Sequence, residues 1–222
     1  MTEILDVPRL TDSPAPSARS AAGWGAACGA VAGPLFLAIG ITQGLTREGF
    51  DFTRNALSQL ALGESGWIQT VNFVLAGVLL LAGATGLRRV LRGAPGDTWG
   101  PALVGVFGVS FWVAAAFPAD AGAGFPAGAP EETVMSGHGT VHMLGGMVGY
   151  LALCAAFVVL ARPLAARGLR GWAVASRVVP VLVLAGFLLS AVSVLAFTAG
   201  AGLGLLWLGA VAIRLNGLPA DR

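Results

Sequence analysis

Residues 67–87, WIQTVNFVLAGVLLLAGATGL, hold no ionisable side chain, and residues 88–92, RRVLR, follow at once with three arginines. A run of about twenty such residues crosses the ~30 Å hydrocarbon core of a bilayer as one α-helix. Arginines at its end mark the membrane face on which it stops. This segment decides the fold class, because lipid forces a spanning chain to satisfy its own backbone hydrogen bonds. Composition agrees with it. The 222-residue chain is 56% hydrophobic and 11% charged, with a mean hydropathy of +0.80, whereas a soluble domain carries about 25% charged residues.

Working outward, the same pattern recurs on both sides. A first span covers about residues 24–43, where Gly25, Gly29 and Gly33 share one helix face and permit close approach of a neighbour. Pro34 is expected to bend that helix and free a carbonyl. Downstream, a short turn (GAPGDTWG, 93–100) leads to a third span at about 99–117 and a fourth at about 142–161. A fifth covers about 178–197, and a Gly-rich turn then gives a sixth at about 201–213. Residues 1–22, rich in Pro, Ser and Asp, read as a disordered cytoplasmic tail and not as a signal peptide. The expected organisation is a tail (1–22), a six-helix transmembrane domain (23–215) and a short cytoplasmic tail (216–222).

All thirteen basic residues are Arg, a bias that suits a high-GC bacterium. With six spans, Arg9, Arg19, Arg88, Arg89, Arg92, Arg162, Arg167, Arg170, Arg177, Arg214 and Arg222 share one side, against Arg47 and Arg54 on the other. The positive-inside rule puts that side, with both termini, in the cytoplasm. The expected location is a bacterial cytoplasmic (inner) membrane. Loops 44–66 and 118–142 then face outward.

Those outward loops carry the polar residues of interest. In GLTREGFDFTRNALSQLALGESG (44–66), Asp51 or Thr53 suits an N-cap and Gly63 a helix end. Asp51, Arg54 and Ser58 would share one stripe, with Leu57, Leu60 and Ala61 opposite, as in a short amphipathic helix at the membrane surface. In the second loop Pro130-Glu131-Glu132 resembles a helix opening, which would set His138 and His142 one turn apart on one face. An i, i+4 histidine pair can hold one Zn ion, with Asp120 as a third ligand and an open position. The glutamate of H-E-x-x-H is missing, since Gly139, Thr140 and Val141 intervene. Haem held by both rings is excluded, because residues one turn apart cannot reach opposite porphyrin faces.

The same residues also support acid–base chemistry without metal. A histidine oriented by Asp120, Asp51 or Glu64 would be the base, and Ser58 a nucleophile, although no G-x-S-x-G elbow is present. Plainer readings exist for each group. Asp51 and Arg54 form a surface pair, Gln69 and Asn72 bond between helices, and Cys28 and Cys154 are small buried hydrophobes. No span has an Asp, Glu, Lys or Arg near its middle, which argues against an ion-coupled pump. No phosphate-binding glycine loop or nucleic-acid-binding surface is found.

The segments RNALSQLALGESGWIQTVNFVLAG and FPADAGAGFPAGAPEETVMSGHGTVH together resemble the bacterial six-span family catalogued as domain-of-unknown-function family nine-nine-eight, over about residues 24–213. That resemblance implies the six-span architecture and marks Ser58, Gly63, Gly66, Asp120, His138 and His142. There is a looser similarity to membrane zinc hydrolases of the alkaline ceramidase type, which also combine Ser, Asp and HxxxH. This chain departs from them in having six spans, two histidines and no third imidazole.

The expected fold is therefore all-α and polytopic, with six transmembrane helices and a short amphipathic helix in the first outward loop. The expected site is an outward pocket of Asp120, His138 and His142 under a lid bearing Asp51, Arg54 and Ser58. The leading function is metal-assisted or acid–base hydrolysis of a lipid or lipophilic substrate. The alternatives are a non-enzymatic lipid- or ligand-binding protein or partner subunit, and a membrane isoprenoid cyclase or isomerase using Asp120 or Glu64 as the acid. Expected partners are membrane lipids and a lipophilic small molecule, not nucleic acid.

Overall fold

The computed structural model describes residues 16–217, so most of both expected tails (1–15 and 218–222) lies outside the described residues. Six α-helices make up the fold: α1 (Pro16–Thr46), α2 (Gly66–Val90), α3 (Trp99–Ala116), α4 (Gly137–Ala166), α5 (Arg170–Leu188) and α6 (Val194–Asn216). There is no β-strand among the described residues. Each helix contributes a stretch of 18–30 residues long and apolar enough to cross a bilayer. The chain is a multi-pass membrane protein.

Consecutive helices pack side by side, and α6 returns to α1, closing the six into a ring. The up-and-down path sends Arg88, Arg89, Arg92, Arg162, Arg167 and Arg170 to one end, the basic end. The segments 47–65, 117–136 and 189–193 lie at the other, the cap end.

Lipid tails are as apolar as leucine, so helices here gain little from hydrophobic burial and must associate through close packing. The glycine face of α1 does this within the chain. A Cβ on Gly25 would lie 2.5 Å from Gly86 Cα, and one on Gly33 would lie 2.8 Å from the Leu205 carbonyl oxygen. The stripe thus seats α1 in the groove between α2 and α6. Pro34 stays inside the helix, where it removes the donor that the Ala30 carbonyl would otherwise bond. A Cβ on Gly209 of α6 would lie 3.0 Å from that oxygen.

Gln69 and Asn72 bond between helices as expected. Gln69 Oε1 accepts from Gln43 Nε2 of α1 at 2.8 Å and from Asn72 Nδ2 at 3.1 Å, and Asn72 Nδ2 also donates to the Phe36 carbonyl at 3.1 Å.

Four boundaries differ from expectation. The first helix starts at Pro16, inside the stretch read as a tail. The expected amphipathic helix is a single 3-10 turn and a half, Leu57–Ala61. It buries Leu57 and Leu60 as anticipated, but Asp51 and Arg54 precede it in turns and share no helical stripe with Ser58. The fourth helix opens at Gly137 and not at Pro130, because Ser136 is its N-cap and accepts from the Gly139 amide.

The last hairpin turns at 189–193 and not near 200. A 3-10 turn, Leu189–Ala191, ends α5, and Ser193 Oγ accepts from the Ala196 amide to start α6. Gly200, read as part of a turn, is a packing residue: a Cβ on it would lie 3.3 Å from Gly186 Cα of α5.

The large buried side chains gather in the basic half, among them Leu80, Leu91, Phe107, Phe157, Leu160, Leu164 and Leu215. The cap half is filled differently.

Candidate functional site

α3 is the shortest of the six helices, and the segment after it folds back over the bundle. Two connections meet there and form one cap. Asn55, 1% exposed, bonds the Asp51 amide through Oδ1 at 2.9 Å and turns Nδ2 toward the Gly122 and Ala123 carbonyls. Gln59 Nε2 donates to the carbonyls of Asp120 and Gly122 at 3.4 and 3.3 Å. Arg47 donates to the Leu60 and Leu62 carbonyls at 3.0 and 2.7 Å, and its guanidinium lies over the Phe125 ring. Phe125, Leu57 and Leu60 form a small buried core of the cap's own. On its outer face Arg54 pairs with Glu131. Asp51 accepts from the Thr53 amide and hydroxyl, and those two bonds, the hydroxyl's first, hold its carboxyl below the usual range.

Asp120 lies just past α3. Its carboxylate accepts from the Ser136 hydroxyl at 2.5 Å and the Ser136 amide at 2.9 Å. It rests so closely on Gly139 that any Cβ there would collide with Oδ2. This is a carboxylate set at the positive end of α4. The Ser136 bonds, hydroxyl before amide, hold its pKa below the ordinary range.

The two histidines, equivalent in sequence, divide around Phe117. His142, 8% exposed, has Nδ1 2.8 Å from the Phe117 carbonyl. A carbonyl only accepts, so Nδ1 carries a proton, and in the neutral form of the ring Nε2 is the acceptor. His138 is exposed and packs edge-on against the Phe117 ring, with centroids 5.5 Å apart.

Asp120, His138 and His142 are thus neighbours. Both Asp120 oxygens serve Ser136, and Nδ1 of His142 serves a carbonyl, which leaves Nε2 as the ring atom open to a ligand. Among the described residues, no group of three or more His, Cys, Asp or Glu side chains is placed to hold a metal.

Beneath the cap lies a cavity of about 310 Å³. Leu57 and Ser58 roof it, and Phe36, Phe73, Phe111 and His142 line its inner wall. Phe187, Ser190, Phe197, Thr198 and Leu205 line the side toward α5 and α6. Met143 and Met147 of α4 also line it while 58% and 44% exposed, as does the exposed Ser190. The cavity therefore opens sideways, between α4 and the α5–α6 turn. Among the described residues that line it there is no Asp, Glu, Lys or Arg.

Of the six residues expected to carry chemistry, Ser58 and His142 line this cavity. Asp51, Arg54, Asp120 and His138 do not, and neither does Glu64, which is exposed. Sequence reasoning passed over Arg47, Asn55, Gln59 and Phe125, which build the cap. Their signal was the dense mixture of amides and aromatics in the two loops.

The fold and the site define a multi-pass helical membrane protein with a capped, laterally open cavity. The family model described as "Protein of unknown function (DUF998)" matches residues 30–214, and the chain belongs to that family. No curated protein and no solved structure matches it.

Proposed function

We propose that this protein binds a lipophilic molecule from the bilayer in the cavity beneath its cap. One observation carries the reading: an aromatic cavity, lined among the described residues by no Asp, Glu, Lys or Arg, reaches the exposed Met143, Met147 and Ser190 on membrane-spanning helices and the turn beside them. Binding pockets are concave and mostly apolar, with a few placed polar groups, and here those groups are His142, Ser58, Ser110, Tyr150, Ser190 and Thr198.

The test is retention of a lipophile by the purified full chain. Gly146 lines the cavity, and a Cβ on it would meet nothing within 4 Å, so Gly146→Leu should fill space at the cavity wall and leave the helix contacts in place. Native mass spectrometry should find a bound lipophile on the wild type and little or none on Gly146→Leu. The same substitution at Gly171, also free of neighbours but on α5 at the basic end, should leave retention intact. Equal retention by all three proteins would end this reading.

A second reading, hydrolysis of the bound lipophile, is favoured by Ser58 and His142 lining one cavity with the imidazole tautomer fixed by Phe117. His142 would act as general base and Ser58 as nucleophile. Labelling of Ser58 by a lipophilic fluorophosphonate, lost in Ser58→Ala and in His142→Ala, would support it; an unlabelled wild type would count against it. A cyclase would need an acid in the cavity, and among the described residues no carboxylate lines it.

The arginine distribution supports a cytoplasmic basic end, with both termini on that side, in the inner membrane of a bacterium. On intact cells an impermeant maleimide should label a cysteine introduced at 54 and spare one introduced at 92, which should react only after lysis; the reverse pattern would invert the orientation.

A further inference from the structure

The head group of the occupant can be argued from charge. A phosphate or carboxylate drawn out of water needs a buried cation, and leaving it unpaired costs several kcal/mol. The cap holds two arginines, and both are engaged away from the cavity: Arg47 on the Leu60 and Leu62 carbonyls and the Phe125 ring, Arg54 on Glu131. A cationic head fares little better. Among the described residues no carboxylate lines the cavity, and its rings are packed edge-to-face on one another: Phe36 on Phe111 at 5.1 Å, and Phe187 on Phe197 at 4.9 Å. Their faces are thereby partly taken, which weakens any cation–π cage.

The polar groups that remain are hydroxyls and one imidazole. Because the His142 Nδ1 proton is spent on Phe117, the neutral ring offers an acceptor and no further donor. The Ser58 hydroxyl can supply the complementary donor. A head that both donates one hydrogen bond and accepts another matches the pair, and an alcohol does so without charge. The cavity volume of about 310 Å³ lies at the small end of ligand pockets, ~300–1,000 Å³, so it has room for one chain and not two.

We propose that the occupant is an uncharged single-chain lipid alcohol, its hydroxyl held between His142 and Ser58 and its chain among the phenylalanines. The proposal rests on the reading that the cavity holds a lipophile, and adds the charge and the number of chains.

The experiment offers the full chain, in detergent, three probes with one chain and different heads: hexadecanol, hexadecyl phosphate and hexadecyltrimethylammonium. Retention is read by native mass spectrometry on wild type, Gly146→Leu and His142→Phe, with thermal melting to confirm that each variant is folded. The expected result is one hexadecanol per chain, favoured at least about tenfold in Kd over both charged probes, a difference of about 1.4 kcal/mol. That preference should shrink in His142→Phe, and all retention should fall in Gly146→Leu. Phosphate or ammonium binding as well as the alcohol, still blocked by Gly146→Leu, would overturn the head-group assignment and leave the lipophile cavity standing. No probe retained by the wild type above the Gly146→Leu level would overturn both. The comparison of heads on the wild type stands even if a variant fails to fold.

Discussion

The two halves of the ring are built on opposite terms. In the basic half, glycines bring backbones together and the space between helices is filled by leucine and phenylalanine. In the cap half Gly186 and Gly200 still seat α5 on α6, but a cavity is left among the helices, and two loops close it by hydrogen bonds that no single helix could make. Packing density is what a membrane bundle relies on for stability, so space left at one end is a sign of use. The comparison also separates the histidines. His138 lies on the outside of the cap segment, while His142, one turn deeper, is bonded to the end of α3 and lines the space.

The sharpest way to break this contrast is to overfill each half in turn. Gly25→Leu drives a side chain into α2 backbone at 2.5 Å, and should destabilise at or above the ~3 kcal/mol upper end of overpacking costs. Gly146→Leu should be neutral or stabilising by about 0.5–1 kcal/mol, since it removes a helical glycine. Denaturant unfolding in detergent reads both. Equal losses would mean that the cap half is packed as tightly as the basic half.

How far the sequence showed this contrast depends on the range of the interactions involved. The first four spans were legible because hydrocarbon thickness and arginine placement act locally, and the glycine stripe of α1 declared a packing face. The α5–α6 hairpin is not legible from its glycines, because Gly200 looks like a turn residue, whereas in the bundle it packs on Gly186. Ser193 was the true signal, as Ser136 was for α4. The cap was illegible for another reason: Asn55 meets residues 67 and 68 positions away, and no local pattern encodes that. Nor could spacing reveal that Asp120 would bind Ser136, or that Phe117 would lie between the two histidines.

Smaller effects sharpen the account of the cap. Arg47→Met removes two guanidinium–carbonyl bonds and should cost about 2 kcal/mol, with faster proteolysis of the 117–136 segment as the direct readout. Asp120 supplies a pH signature. Its folded pKa lies below the unfolded value of about 3.9, so its contribution is fully present above that value and fades as pH falls through the lower folded one. The melting temperature of the wild type should drop along that acid limb, and Asp120→Asn should lower it at neutral pH while flattening the limb. The smallest effect belongs to Arg54 and Glu131, an exposed pair whose removal by Arg54→Ala should change stability by about 0–1 kcal/mol. A larger loss would assign the cap's cohesion to that pair and not to Asn55, Gln59 and Arg47.

The most direct test of the central claim is to photolyse a diazirine-bearing lipophile with the full chain in a bilayer and map the adducts by peptide mass spectrometry. Adducts should concentrate on residues that line the cavity, such as Met143, Met147, Phe197 and Leu205, and be lost in Gly146→Leu. Adducts spread evenly over the outer faces of all six helices, unchanged by that substitution, would contradict it.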